Sequence, residues 1–307
     1  MNKDAQPHAR RALLVVNKKS RQGQGPTEDA IDVLELGGIR LRREECLAPD
    51  ELATLIRRLH DEVDMVVLGG GDGTLNAAAP ALIETGLPLG ILPLGTANDL
   101  ARTLHIPPDL RAAAKIIVDG HVRRIDLGDV NGQPFFNVAS MGLSVGMAHE
   151  LTHDVKQRWG KLGYAVATGR ALARMRPFSA ELRYDGETHK VRTLQISVGN
   201  GKYYGGGMAV KEGAVIDDGR LDLYSLEFGR LWKLALVYPA FRSGRHGMWK
   251  EVRAVSCKEV EIRTRRPRSV NTDGEITTRT PARFKVARKA VAVLAPLTAP
   301  EQSPPSL

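Results

Sequence analysis

"MVVLGGGDGTLNAAAPALI", residues 65–83, decides how the chain is read. Four apolar residues, Met65 to Leu68, run into Gly69-Gly70-Gly71, Asp72, Gly73 and Thr74, and the segment then turns small and apolar. A buried strand that empties into bare backbone and then enters a helix suits a phosphate group. Glycine tolerates positive φ and lets a phosphate approach the main chain. Bare N–H groups and a helix N-terminus supply positive potential. Asp72 would be repelled by phosphate unless a metal ion or a donor holds it, which points to a magnesium nucleotide. In isolation, GGG followed by Asp reads better as a tight strand-to-helix turn with a capping carboxylate. The run matches neither G-x-G-x-x-G nor the P-loop pattern.

The next strand repeats the arrangement. "ILPLGTANDLAR" (91–102) carries Gly95-Thr96 and then Asn98-Asp99 at a helix start. Two neighbouring parallel strands would thus end in glycine loops with an Asp, at the edge where such sheets bind ligands.

The flanking segments alternate strand and helix. Residues 12–19 read as a buried strand. Residues 27–38 read as a helix capped by Thr27 and ended by Gly37-Gly38. "IRLRREE" alternates like a strand, and 49–62 have helical periodicity through Leu52, Leu55, Ile56 and Leu59. Helices are also expected at 75–86, 96–106 and 109–120. This order predicts a doubly wound, mostly parallel α/β domain over 1–121, which the segment around 285–298 could complete.

After residue 121 strand-like runs dominate, separated by turn signals such as "YDGE", "IDDGR" and "NTDGE". Helices are expected chiefly at 157–176 and 230–243. Residues 122–284 therefore read as an antiparallel β domain, a sandwich, and the Pro/Ser-rich 299–307 as a disordered tail.

The 307 residues suit about two domains. Two distant cysteines, Cys46 and Cys257, make neither a disulfide framework nor a zinc site, so a reduced cytoplasmic protein is expected. The first eleven residues lack the apolar stretch of a signal peptide, and no run has the length of a membrane span. The net charge of +9 is uneven. Residues 1–120 hold 14 Lys+Arg against 17 Asp+Glu; residues 121–307 hold 30 against 18. Such a split suits an anionic surface, although charge alone reads first as a solvated basic face.

With these motifs in view, "GGGDGTLN" and "PLGTANDLAR" resemble the diacylglycerol kinase catalytic-domain family, in particular the soluble bacterial lipid kinases of the YegS type. The resemblance runs from residue 12 to about 295. It implies an N-terminal α/β domain of the NAD kinase and diacylglycerol kinase kind, a C-terminal β-sandwich, and an active site in a cleft between them.

The resemblance also implies site residues. ATP would be bound by Asn17, Gly70, Gly71, Asp72, Gly73, Thr74, Asn76 and Thr96, with Ser20 and Gly23 in the first loop. That loop departs from the family in having Lys18 where a proline is common, and Ala77 replaces a common Glu. Asp72, Asp99 and Asp126 would form a carboxylate–water–magnesium network. In "VNTDGEITTR" (270–279), Glu275 would be the general base and Asp273 its acidic partner near the metal. In "AVIDDGRLDLY" (214–224), Asp218 with the carbonyls of Val215 and Arg220 would hold a structural magnesium. Without the resemblance, Asp126 reads as a strand-edge residue and both DG sequences as hairpin turns. "VGNGKYYGGGM" (198–208) also resembles the family, with no role beyond lining a cleft.

The implied reaction is transfer of the γ-phosphate of ATP, with Mg2+, to a hydroxyl of a membrane lipid: diacylglycerol, phosphatidylglycerol, or a sphingoid or ceramide-like lipid. It would belong to phospholipid biosynthesis. Basic clusters mixed with Trp, Met or Phe at 155–161, 169–176 and 241–250, and the basic run at 263–268, suit peripheral membrane contact. No nucleic-acid motif appears. A homodimer is left open. Two alternatives stand beside this reading: an NAD kinase-like small-molecule kinase, and a non-catalytic nucleotide-sensing regulator at the membrane surface.

Overall fold

The computed structural model describes residues 10–17, 24–45, 49–142, 176–201, 203–204, 208–209, 215–227 and 252–297. Ser20, Gly23, the expected helices at 157–176 and 230–243, three of the four basic clusters and the 299–307 tail lie outside them. Two compact units divide the chain: residues 1–125 with 289–307, and residues 126–288.

The first unit opens with β1 (Arg11–Val16), α1 (Gln24–Leu36), β2 (Arg40–Glu44) and α2 (Pro49–Leu59). It continues with β3 (Met65–Gly70), α3 (Asp72–Thr85), β4 (Leu89–Pro93), α4 (Asp99–Thr103), α5 (Leu110–Asp119) and the start of β5 (Val122–Val130). The strands pair in parallel in the order β2-β1-β3-β4. Every residue of β3 and β4 is buried, as expected of central parallel strands covered on both faces. α1 packs on α5, and α2 on α3. Right-handed crossovers place α1 on one face and α2 and α3 on the other. Leu52, Leu55, Ile56 and Leu59 are the buried stripe of α2. Strand order reverses between β1 and β3, so their carboxyl ends flank the switch point of the sheet.

One expected cap is corrected. α1 begins at Gln24, so Thr27 lies inside the helix with its side chain buried. Pro26 is tolerated in that first turn because its missing N–H has no intrahelical partner there.

The second unit is antiparallel. It contains the end of β5, β6 (Gln133–Phe135), β7 (Val138–Gly142), β8 (Phe178–Tyr184), β9 (Glu187–Thr193) and β10 (Gln195–Gly199). β11 (Tyr203–Tyr204) and β12 (Met208–Ala209) form a short ribbon. β13 (Leu221–Leu226), β14 (Val252–Cys257), β15 (Glu259–Thr264), β16 (Ser269–Thr272), β17 (Glu275–Arg279) and most of β18 (Ala282–Leu294) follow. One layer runs β9-β8-β15-β18, with β5 and β6 beside β18; the other runs β14-β13-β10-β7-β16-β17. Alternate side chains fill the core between them: Phe178, Ala180 and Leu182 of β8, Val260 and Ile262 of β15, Ile196 and Val198 of β10. Phe135 and Phe284 meet edge to face at 6.5 Å. Phe135 lies over Gly128, where a Cβ would stand 2.0 Å from its ring.

Asn131-Gly132, Asp185-Gly186 and Asp273-Gly274 each place two consecutive residues at positive φ. These are the two-residue turns that match strand twist in a hairpin. The last carries Thr272 opposite Glu275 in register.

The last residues of β18 return to the first unit, where Val293 pairs in parallel with Leu89 of β4. The chain is an α/β fold followed by a β-sandwich, as the sequence predicts.

Candidate active site

The loops after β1, β3 and β4 meet at the carboxyl edge of the parallel sheet. Asn17 follows β1; its N–H donates to the Gly69 carbonyl at 2.8 Å and its Nδ2 to Thr74 Oγ1 at 3.3 Å. Gly71 is the N-cap of α3, and Asp72 opens that helix. The Asp72 carboxylate reaches across to α4. Oδ2 accepts from the Asp99 N–H at 3.1 Å and Oδ1 from the Leu100 N–H at 3.0 Å. A carboxylate on a helix N-terminus satisfies N–H groups that have no partner within their own helix. The GGDG loop and the GTAND loop are thereby clasped together.

Of the two uses expected of the glycines, positive φ and close approach of a phosphate, the structure does not use the first. None of Gly69, Gly70, Gly71, Gly73 or Gly95 takes positive φ. What they supply is room. A Cβ on Gly95 would stand 2.5 Å from Gly71 Cα, and one on Gly71 3.0 Å from Gly95 Cα. A Cβ on Gly70 would lie 2.6 Å from Thr74 Oγ1. The two loops touch main chain to main chain, and no side chain fits between them.

Asn98, which carried no role in the sequence reading, organises the second loop. It sits at φ 49°, its Oδ1 accepts from the Gly95 N–H at 2.9 Å and its Nδ2 donates to the Gly95 carbonyl at 2.9 Å. Asn is among the few residues that adopt this conformation readily, and that was its only local signal. Asp99 is buried, with its Oδ1 3.9 Å from an Arg102 nitrogen. Thr96 and Gly73 are exposed. Asn76 has a buried Oδ1 with no hydrogen-bond partner among the described residues, and Pro80 denies its backbone carbonyl the usual helical donor.

Asp126 belongs to the second unit. Its buried carboxylate accepts from the Gly219 N–H at 2.7 Å, and its own N–H donates to the Ile216 carbonyl at 2.9 Å. The 215–220 turn therefore wraps Asp126. Asp218 accepts from the Arg220 N–H at 2.9 Å. Burial, and then the negative charges of Asp222 and Asp126, push the Asp218 carboxyl above its ordinary value. Val215 is half exposed.

Asp273 and Glu275 sit on the β16–β17 turn. Asp273 takes φ 47°, and its carboxylate accepts three N–H groups: Phe136 at 2.7 Å, Asn137 at 3.0 Å and Val138 at 2.9 Å. Its N–H donates to the Val138 carbonyl at 3.0 Å. Asp273 thus anchors the turn. Asn271 adds a bond from the Gly274 N–H at 2.9 Å. Glu275 is exposed, and no hydrogen bond or ion pair with another described residue ties down its carboxylate. An anchored turn that presents a free carboxylate is equipped to accept a proton.

Among the described residues no three His, Cys, Asp or Glu side chains converge as a direct ligand cluster. Asp72 and Asp99 bring carboxylates, the hard oxygen donors that magnesium takes directly or through water. Burial, and then the negative charges of Asp222 and Asp126, raise the Asp218 carboxyl, and a cation beside the 215–220 turn would offset those charges.

An α/β unit with clasped glycine loops at its switch point, followed by an antiparallel sandwich with an anchored DGE turn, defines a two-domain kinase class. The diacylglycerol kinase catalytic domain matches residues 11–130, and the YegS C-terminal NAD kinase beta sandwich-like domain matches residues 137–295. The chain belongs to the YegS-like diacylglycerol kinase family. Diacylglycerol kinases of Staphylococcus aureus strains bovine RF122 / ET3-1 and MRSA252 are each 29% identical over 295 residues, covering 94% of this chain and 93% of theirs. A solved structure from Bacillus anthracis str. Sterne carrying a diacylglycerol kinase assignment matches at 26% identity and TM-score 0.81, covering 97% of this chain and 99% of its own.

Proposed function

We propose that the chain is an ATP- and Mg2+-dependent lipid kinase that moves the γ-phosphate of ATP to a hydroxyl of a membrane lipid. The observation that carries this reading is the clasp of Asp72 onto the Asp99 and Leu100 N–H groups, which joins the two motifs into one surface. Asn17, Gly70, Gly71, Thr74 and Thr96 line or border that surface and would hold the triphosphate. Asp72 and Asp99 would hold magnesium, whose charge offsets that of the transferred phosphoryl group. Asp273 holds the turn; Glu275 takes the proton of the attacking hydroxyl, whose oxygen forms the new P–O bond as the bond to ADP breaks. The second unit would meet the membrane. Arg265 and Arg266 are exposed on the β15–β16 loop, and a basic side chain near anionic lipid contributes about 1 kcal/mol.

The test is transfer of labelled γ-phosphate from Mg-ATP to diacylglycerol, phosphatidylglycerol, ceramide and sphingosine in mixed micelles, with NAD as a soluble control. Label is expected in one of the lipids. Label in NAD alone, or none anywhere with ATP binding intact, overturns the reading.

A further inference from the structure

We infer that Asn200 is a positioning residue for the Asp273–Glu275 turn, acting through two peptide groups of the 136–138 segment. The inference rests on the reading of Glu275 as the base, and it gives the "VGNG" motif a task.

Asn200 is buried at the end of β10. Its Nδ2 donates to two carbonyls, Phe136 at 2.9 Å and Asp126 at 2.9 Å. Two acceptors facing one amide group fix its orientation, because the oxygen cannot occupy that place. The Asn200 and Gly201 N–H groups both donate to the Asn137 carbonyl, at 2.8 and 3.1 Å. The opposite ends of the same peptide groups face Asp273. The peptide joining Phe136 to Asn137 is bound at its carbonyl by Asn200 and at its N–H by Asp273 Oδ1. The peptide joining Asn137 to Val138 is bound at its carbonyl by the Asn200 and Gly201 N–H groups and at its N–H by the same carboxylate oxygen. Hydrogen bonds in series through one peptide polarise each other, so the two ends strengthen together. Asp126, Asn200, residues 136–138 and Asp273 form one continuous chain that ends beside Glu275.

Two further observations fit this task. Among the described residues the buried Asn200 Oδ1 has no hydrogen-bond partner, so the side chain is held through its donors alone. A Cβ on Gly201 would crowd Asn137, standing 2.9 Å from its Oδ1 and 3.3 Å from its Cα.

The experiment uses the full chain with Asn200→Ala and the near-isosteric Asn200→Leu, which removes both donors and adds no charge; Gly201→Ala, which presses on Asn137, serves if those two fold poorly. Amide hydrogen exchange at Phe136, Asn137 and Val138 is read beside kcat per folded molecule and KM for Mg-ATP. Expected are faster exchange at those three amides, a fall in kcat of about 10- to 100-fold, and a KM for Mg-ATP within about twofold of the parent. Unchanged exchange overturns the inference, as does a variant with faster exchange and normal kcat. An Asn200→Leu protein that matches the parent also overturns it, by reducing Asn200 to a space-filling role. If the parent phosphorylates no lipid, the kinase reading fails, and the exchange result still decides whether Asn200 holds the turn.

Discussion

The loop at 69–74 and the turn at 271–275 are built by opposite means. In the first, side chains are removed. Gly71 and Gly95 let two main chains touch, and one carboxylate, Asp72, clasps them. In the second, side chains are added. Asp273 gathers three N–H groups and Asn200 holds the far side of the same peptides. A surface for a large anion needs bare donors and close backbone approach. A proton acceptor needs one carboxylate held at one angle. The two regions should therefore break under different substitutions.

The largest structural effect is expected at Asp273. Asp273→Ala strips the acceptor from three N–H groups and leaves a β-carbon at φ 47° without its compensating bonds. Bonds to a charged acceptor contribute about 1.5–3 kcal/mol each and do not add fully, so a loss of on the order of 3 kcal/mol is expected in urea unfolding. Nucleotide affinity should change little. A variant that loses ATP binding but keeps its stability would erase the contrast.

Gly95→Ala should do the reverse. Its Cβ would meet Gly71 Cα at 2.5 Å and Asn98 Oδ1 at 2.7 Å, and backbone cannot swing aside as a side chain can. Overpacking of this kind costs about 1–3 kcal/mol. It should part the two loops, so weaker ATP binding by calorimetry is the expected result, with normal hydrogen exchange at residues 136–138.

The smallest effect concerns pH. Burial and the nearby Asp222 and Asp126 charges raise the Asp218 carboxyl. A raised carboxyl favours the folded state while protonated, below its unfolded pKa, and that contribution is lost as pH rises through the folded value. Asp218→Asn keeps an acceptor for the Arg220 N–H and removes the repulsion. Its Tm should exceed that of the parent at neutral pH and converge with it in acid. Added magnesium should narrow the neutral-pH gap. A lower Tm for Asp218→Asn in metal-free buffer at neutral pH would contradict the assigned cause.

The βα alternation was legible because each strand and helix declares itself within a dozen residues. Asp-Gly turns were equally plain, since positive φ is a local demand. The motif loops were visible as composition, yet the reason for their glycines was not. Gly71 meets Gly95, which lies far along the chain, and no local pattern encodes that contact. The same holds for Asp273, whose partners at 136–138 are 135 to 137 residues away, and for Asn200, whose side-chain bonds span 64 and 74 residues. Thr27 failed as a cap because Pro26 was itself a first-turn signal. Local chemistry marked where the site loops lie; long-range hydrogen bonds decide what each residue does there.

The most direct test of the division of labour is one side-by-side measurement on Glu275→Gln: ATP affinity by calorimetry and phosphate transfer to the accepted lipid in the same preparation. ATP affinity should be preserved, while turnover falls by about 100- to 10,000-fold. A Glu275→Gln protein that turns over normally would contradict the assignment of the base, and with it the claim that binding and proton transfer are carried by separate regions.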